Sequence, residues 1–486
     1  MKSKRVPTLD LGQWRALDGD AGGPFRLPAH HLVTHGVVLG MTGSGKTGLL
    51  TVMIEEALRT GVPVLVIDVK GDMPNLLLSF PTFAPEAVLP WVGASTSPAD
   101  DRPHLEIATE LAEQRRKGLS GWSIDESHLD HFARTTSIRV ITPGTTAGEL
   151  LHVLSSLERR SDRWEHDPES ARAALSAAIS LVLRLLGLDP DPARSREHVL
   201  LSVLAERRLT HGDSASLENL LEDLATPPVT HVGALELDAF LPKRGRKELA
   251  AALNTLLASP TFASWRQGTT LDVGAWLTPT EGRTPCTIVS VAHLDDDERT
   301  LVLGVLLEEA LSWVRGLPGS QRLRALIVFD EVYGFLPPHP ANPPTKRPLV
   351  ALMKQARAFG VGIVVATQNP MDLDYRALGN AGLWCLGRLQ TDADRERVVD
   401  GLGANGVDAD ESLERLGDTL RKLGKRWFVV RDAHGSDGTV LMQPRWAMSF
   451  MKGPMTRSEI RAALGGGPGA NGVSAGVASV PVDRRD

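Results

Sequence analysis

The sequence predicts an α/β protein built on a mainly parallel sheet, covered by helices on both faces and carrying a helical insertion. Three observations predict it. Short apolar, β-branched runs recur along the chain, each followed by a helical pattern. The run GMTGSGKT stands between one such strand and one such helix. From about Leu154 to Phe262 the strand-like runs give way to helical patterns, and strands resume afterwards. The expected division is a lead segment (1–31), a first part of the core (32–153), the helical insertion (154–262), a second part of the core (263–464) and a tail (465–486). The tail, GGGPGANGVSAGVASVPVDRRD, has almost no large apolar residue and is expected to be disordered.

Taken in order, Leu32 to Leu39 (LVTHGVVL) reads as the first strand of the core. Gly40 to Thr47 then fits G-x-x-x-x-G-K-[ST] at every fixed position. Glycines there let successive backbone N–H groups face one anion. Gly40, Thr42, Gly43, Ser44, Gly45, Lys46 and Thr47 are therefore the expected nucleotide-binding residues. Lys46 would reach the β- and γ-phosphates, and the Thr47 hydroxyl would ligate Mg²⁺. Thr47 to Leu58 has helical spacing, so a positive helix end would point at the phosphates. The next strand, Val62 to Val69, ends in DVKGD, where Asp68 and Lys70 suit a nucleotide site and turn chemistry equally.

After a strand at Ile138–Ile141 come the helical patterns ARAALSAAISLVLRLLGL, HVLLSVLAERRL and KELAAALNTLLA. A strand at Thr287–Val291 precedes Asp295, Asp296, Asp297 and Glu298. This acidic run suits a helix start, with Asp295 as N-cap and Glu298 at N3, better than a metal site. The strand Ala325–Phe329 leads into Asp330 and Glu331. Asp330 would hold Mg²⁺ through water or Thr47, and Glu331 would polarise an attacking water, which favours hydrolysis over transfer to a metabolite. Val361–Ala366 ends in Thr367, Gln368 and Asn369, where an amide would sense the γ-phosphate or the strand simply turns before Pro370. Arg357 is either a helix-end cation or a finger reaching a neighbour's nucleotide. A last strand is expected at Trp384–Leu389.

Composition narrows the setting. The chain has 486 residues, 42% of them hydrophobic, enough for one large core or two to three smaller ones. Its two cysteines, Cys286 and Cys385, suggest neither a disulfide framework nor a zinc site. The N-terminus lacks a signal-peptide apolar run, and Ala173–Leu188 is too short to span a bilayer, so a cytoplasmic location is expected. A net charge of −6 does not advertise nucleic acid, so DNA contact would need a local surface. Lys243, Arg244, Arg246 and Lys247 form the densest basic cluster, and Lys346 and Arg347 a second candidate. His128 and His131 have metal-like spacing without a third ligand, so a solvated helix face is expected.

The set GMTGSGKT, DVKGD, ITPG, VFDEVYGFLPP, KQARAFGVGIVVATQNP and LGRLQTDADRERVV resembles the FtsK–HerA superfamily of ring ATPases, HerA-type translocases most closely. The resemblance runs from about His35 to about Leu464. It implies a RecA-like P-loop core, ATP with Mg²⁺ between the subunits of a homo-hexamer, and double-stranded DNA drawn through a pore. On it, Glu331, Arg357 and Gln368 take catalytic positions, while Lys46, Thr47 and Asp330 bind nucleotide and metal. Two features depart from the family. HerA proteins usually carry a small β-barrel that helps dock a partner nuclease, and only about forty residues precede this loop. The family also often has arginine after TQ, where this chain has Asn369. The expected function is an ATP-hydrolysing DNA translocase or helicase-like motor in DNA processing or mobile-element defence. The alternatives are a conjugation- or secretion-type ATPase and an NTPase switch.

Overall fold

The structure, a computed structural model, describes residues 7–17, 22–94, 102–158, 163–369, 373–379, 381–389, 391–403, 410–435 and 438–465. Among the described residues, eleven strands form one sheet. Seven neighbours run parallel, in the order Leu383–Leu386, Gly36–Leu39, Val361–Thr367, Ala325–Asp330, Val64–Asp68, Thr284–Ser290 and Thr136–Ile141. These are the runs the sequence marks. Apart from Thr284 and the outermost strand, Thr136–Ile141, where three residues are half-buried, their residues are buried on both faces, and alternate side chains go to opposite sides. Ile327 and Phe329 join a core with Leu175, Leu201 and Leu306, whereas Leu326 and Val328 join one with Leu49, Ile54 and Phe132. A parallel sheet with helices on both faces requires this.

The first strand is shorter than expected. Ala29–Thr34 forms a 3-10 turn, His35 sits at φ 66°, and pairing begins only at Gly36. With ψ at 163° that backbone is strained for a non-glycine residue, and the His35 ring accepts a hydrogen bond from Ile363 N at 3.2 Å.

The other four strands are antiparallel and extend the Leu383–Leu386 edge. Phe428–Asp432 and Thr439–Pro444 pair with each other, and Thr8–Arg15 and Gly22–Pro28 follow. The lead segment is thus a hairpin of the same sheet. Strands without a following helix, one of them reading GGPFRLP, leave no β–α signal in the sequence.

The helical stretch contains Pro168–Leu185, Arg196–His211, Leu217–Ala225 and Lys243–Ala258. Its apolar residues share one core with the sheet face that carries Ile327 and Phe329. Asp295 caps Asp296–Arg315 in a reciprocal box with Glu298, as its spacing predicts. Of the expected tail, 466–486 lie outside the described residues.

Candidate nucleotide site

The loop after Gly36–Leu39 turns directly into the helix Lys46–Arg59, whose N-cap is Gly45. Gly43 and Gly45 have φ of +76° and +103°, conformations an L side chain rarely adopts. A Cβ on Gly45 would also lie 3.2 Å from the Cα of Arg426, whose N–H donates to Ser44 O at 2.9 Å. Arg426 therefore backs the loop from the far end of the chain, a support the sequence does not advertise. Lys46 is buried, and its ammonium donates to Gly40 O and, at 3.2 Å, to Met41 O. With only carbonyls as partners, burial lowers its pKa to about 8, and the nearby Lys70 adds to the effect. A phosphate anion would supply the counter-charge this ammonium lacks.

The carboxylates stand two strands away, across Val361–Thr367. Asp330 ends its strand in register with Asp68 on the next one. Burial raises the Asp330 pKa to about 7, with the Asp68 charge the next cause. Its Oδ2 is buried and has no hydrogen-bond partner among the described residues; Ser44 Oγ is in the same condition. Hydroxyl and carboxylate oxygens form the hard donor set of Mg²⁺ accompanying nucleotide phosphates. Thr47, in the first helical turn, and Asp330 therefore fit that ion.

Glu331 follows at φ 63°, a strained backbone for a non-glycine residue. Its Oε1 accepts from Thr367 Oγ1 at 2.7 Å and from Gln368 N at 3.2 Å, and its Oε2 accepts from Lys70 Nζ. Burial pushes this carboxyl up, but the bonds from Lys70 and Thr367 outweigh it and hold the pKa below the usual range. Gln368 closes the site, its Oε1 accepting from Thr42 Oγ1 of the loop. Strand order thus brings Gly40, Thr42, Gly43, Ser44, Gly45, Lys46, Thr47, Asp330, Glu331 and Gln368 to one end of the parallel sheet.

DVKGD resolves into two different roles. Asp68 is fully buried, and both its oxygens are used, by Gly71 N at 2.9 Å and Ser290 Oγ at 2.8 Å. It fixes the turn. Lys70 reaches into the site.

Arg357 lies elsewhere. It belongs to the 3-10 turn Ala356–Phe359, just before Val361–Thr367, and so sits at the opposite end of the strand that finishes at the site. Seven residues at about 3.3 Å each put on the order of 20 Å between the two ends, beyond an arginine's reach. Arg357 is exposed, and its side chain makes no hydrogen bond or ion pair to the described residues. It lines a cavity of about 680 Å³ with His30, Thr34, Gln321, Lys354 and His434.

The basic candidates separate too. Lys243, Arg244 and Lys247 are exposed at the start of their helix, but Arg246 is buried against Asp238 Oδ1 and Leu241 O, both at 2.7 Å. Arg246 is therefore a packing residue and drops out of the exposed basic cluster. Lys346 pairs with Asp374 at 3.3 Å, while Arg347 is exposed. His128 closes a capping box with Asp125, and no metal-binding group of His, Cys, Asp or Glu occurs among the described residues.

Residues 13–79 match the family described as Helicase HerA-like C-terminal. That span holds the loop and DVKGD and stops short of Asp330, Glu331 and Arg357. No curated protein matches. Among solved structures, VirB4 of Thermoanaerobacter pseudethanolicus is similar over 90% of this chain and 96% of its own, with 14% identity and a TM-score of 0.51. The bacterial conjugative coupling protein TrwBΔN70 aligns over 93% of this chain and 92% of its own, with 14% identity and a TM-score of 0.48. TrwB bound to the non-hydrolysable ATP analogue ADPNP covers 93% of each chain at 15% identity and a TM-score of 0.47. The fold is that of RecA-like P-loop ATPases, and with the family match it bears out the resemblance of this chain to the FtsK–HerA superfamily.

Proposed function

We propose that this chain hydrolyses ATP with Mg²⁺ as a ring motor of HerA type, a hexamer that translocates double-stranded DNA. The observation that carries the reading is the split of the machinery between the two ends of the sheet. One end gathers the Lys46 loop, Asp330, Glu331 and Gln368, and the other presents Arg357 to solvent. In this reading the loop amides and Lys46 hold the phosphates, and Thr47 and Asp330 hold the metal, which offsets phosphate charge. Glu331 takes a proton from the attacking water, and Gln368 orients that water. Arg357 serves a neighbouring protomer's nucleotide. The exposed Lys243, Arg244, Lys247 and Arg347 are the DNA-facing candidates of an otherwise acidic chain.

Complementation tests this reading. Arg357→Ala should bind ATP yet be slower by about 10³–10⁵, the usual worth of an arginine finger, and Lys46→Ala should fail to bind. Mixed together with subunit exchange confirmed by a labelled protomer, the two should recover part of the turnover. No recovery in mixed rings returns Arg357 to a helix-end cation. DNA should stimulate hydrolysis, and DNA binding should weaken steeply with salt. Hydrolysis indifferent to DNA, with assembly following the nucleotide state, would favour the switch. Among the described residues no helix is long and apolar enough to cross a membrane. Recruitment to membranes on co-fractionation would favour the secretion-type alternative.

A further inference from the structure

The acid expected to activate water is not free in this chain. Both oxygens of Glu331 are engaged, Oε1 by Thr367 and Gln368 and Oε2 by Lys70. A carboxylate paired with an ammonium is a poor proton acceptor, so the resting arrangement holds the base out of use. Asp68 holds the turn through Gly71 N with one oxygen and is itself fixed by Ser290 Oγ of the neighbouring strand at the other, Gly71 takes φ +86°, and Lys70 is thereby aimed across the strand ends at Glu331. Its side chain keeps 30% of its surface exposed, against 12% for Glu331, so the ammonium is the partner with room to move. Lys70 is also close enough to Lys46 for the two charges to oppose each other. Two ammonium groups beside one anion cradle suit a ligand more negative than the single carboxylate that now holds one of them.

Resting on the ATPase reading above, we propose that Lys70 is a ligand of the terminal phosphate of a bound nucleoside triphosphate, held in reserve on Glu331 until that phosphate arrives. The exchange makes and breaks no covalent bond. The ammonium leaves a carboxylate for a more highly charged oxyanion, and Glu331, still oriented by Thr367 and Gln368, becomes available to water. ADP lacks the terminal group, so the resting pair re-forms after hydrolysis and phosphate release. Lys70 then reports which nucleotide is bound and licenses the base at the same moment.

Binding of ATP and ADP, measured separately, tests this in the full-length protein. Glu331→Gln cannot form the ion pair, so it should bind ATP about tenfold more tightly than wild type and bind ADP unchanged, a tenfold change being about 1.4 kcal/mol. Adding Lys70→Ala to that background should abolish the gain and leave ADP affinity in place. Lys70→Ala alone should lower kcat by about 10²–10³, the usual cost of one preorganised charge-stabilising donor, and Lys70→Arg should restore part of it. Equal weakening of ATP and ADP, or no effect of Lys70→Ala in the Glu331→Gln background, would overturn the proposal. Lys46→Ala is the control for the ATPase reading. If wild type binds ATP and Lys46→Ala does not, a negative result at Lys70 refutes the exchange alone. If wild type binds no ATP, the ATPase reading fails with it.

Discussion

Two pairs of adjacent acids occupy the interior of this protein and are treated in opposite ways. Glu55 and Glu56 lie in the last turns of the helix that begins at Lys46, and Asp330 and Glu331 lie at a strand end. Arg445 bridges the first pair, 2.9 Å from Glu55 Oε2 and 3.1 Å from Glu56 Oε1. Met448 N, Ser449 N and Ser449 Oγ complete the shell of Glu55, while Asp10 N and Arg59 complete that of Glu56. Burial tends to raise the Glu56 pKa, but the bonds from Arg59 and Arg445 prevail and it stands below the ordinary value. The second pair is held differently. Asp330 has an orphaned oxygen and a pKa pushed up to about 7, and Glu331 borrows a lysine on a strained backbone. Full satisfaction within the chain marks acids that hold the fold together. An orphaned oxygen, as on Asp330, or a partly exposed cation as the only ion-pair partner, as on Glu331, marks acids that wait for something from outside.

Removing one charge should therefore have opposite readouts at the two pairs. Glu331→Gln should lower ATP turnover by about 10²–10⁴, the range for loss of a general base, with the thermal midpoint close to wild type. Turnover like wild type would remove Glu331 from the water-activating role. Arg445→Met should do the reverse. It leaves Glu55 buried without its cation and Glu56 with Arg59 alone, at a cost of about 3–5 kcal/mol in denaturant unfolding, while turnover per folded molecule changes little.

How far this contrast is legible in the sequence depends on where the partners lie. GMTGSGKT, the ALIVFDE strand end and the TQ strand end carry their chemistry in contiguous residues, and so does the Asp295–Glu298 cap. These the sequence exposes. Arg445, by contrast, is 390 residues from Glu55, and nothing in TGLLTVMIEEAL says that its two glutamates are buried. The role of Lys70 follows only from sheet order, because Val64–Asp68 borders the carboxylate strand although 261 residues separate Lys70 from Glu331. The four antiparallel edge strands are missed for a related reason, since they pair across the chain's two ends and lack the strand–helix alternation that reveals the rest.

The unmet demand at Asp330 should also appear as a pH dependence of the nucleotide-free, metal-free protein. Its folded-state pKa, about 7, lies above the unfolded value of 3.8. The stabilising contribution of the protonated form is thus fully present below about pH 4 and is lost as pH rises through 7. Asp330→Asn cannot ionise. It should unfold like wild type in acid and gain relative stability between about pH 4 and 7, on the order of a few kcal/mol, since a tenfold change in acidity on folding is worth about 1.4 kcal/mol. Denaturant titrations at several pH values in a chelator would measure this. A flat difference between the two proteins would mean that Asp330 is no more strained than Glu56.

A matched pair of hydroxyl deletions gives the smallest and most discriminating comparison. Thr367 Oγ1 donates to Glu331 Oε1 at 2.7 Å, and Ser449 Oγ donates to Glu55 Oε1 at 3.0 Å. Both residues are buried, and in each case a backbone N–H still reaches the same oxygen, from Gln368 at 3.2 Å and from Ser449 itself at 2.8 Å. A hydrogen bond to a charged group is worth about 1.5–3 kcal/mol, so each deletion removes one similar contact from one carboxylate. Where that energy is felt should differ. Ser449→Ala should cost about 1–2 kcal/mol of stability and leave kcat and KM alone, because Glu55 has no task beyond holding the C-terminal segment on the helix. In Thr367→Val, Glu331 keeps its lysine but loses the donor that aims its other oxygen. Turnover should fall about tenfold at unchanged ATP affinity, the equivalent of about 1.4 kcal/mol in the barrier. A loss of ATP affinity with kcat intact would mean that Thr367 supports the phosphate site directly, and the proposed division between orienting Glu331 and binding nucleotide would have to be redrawn.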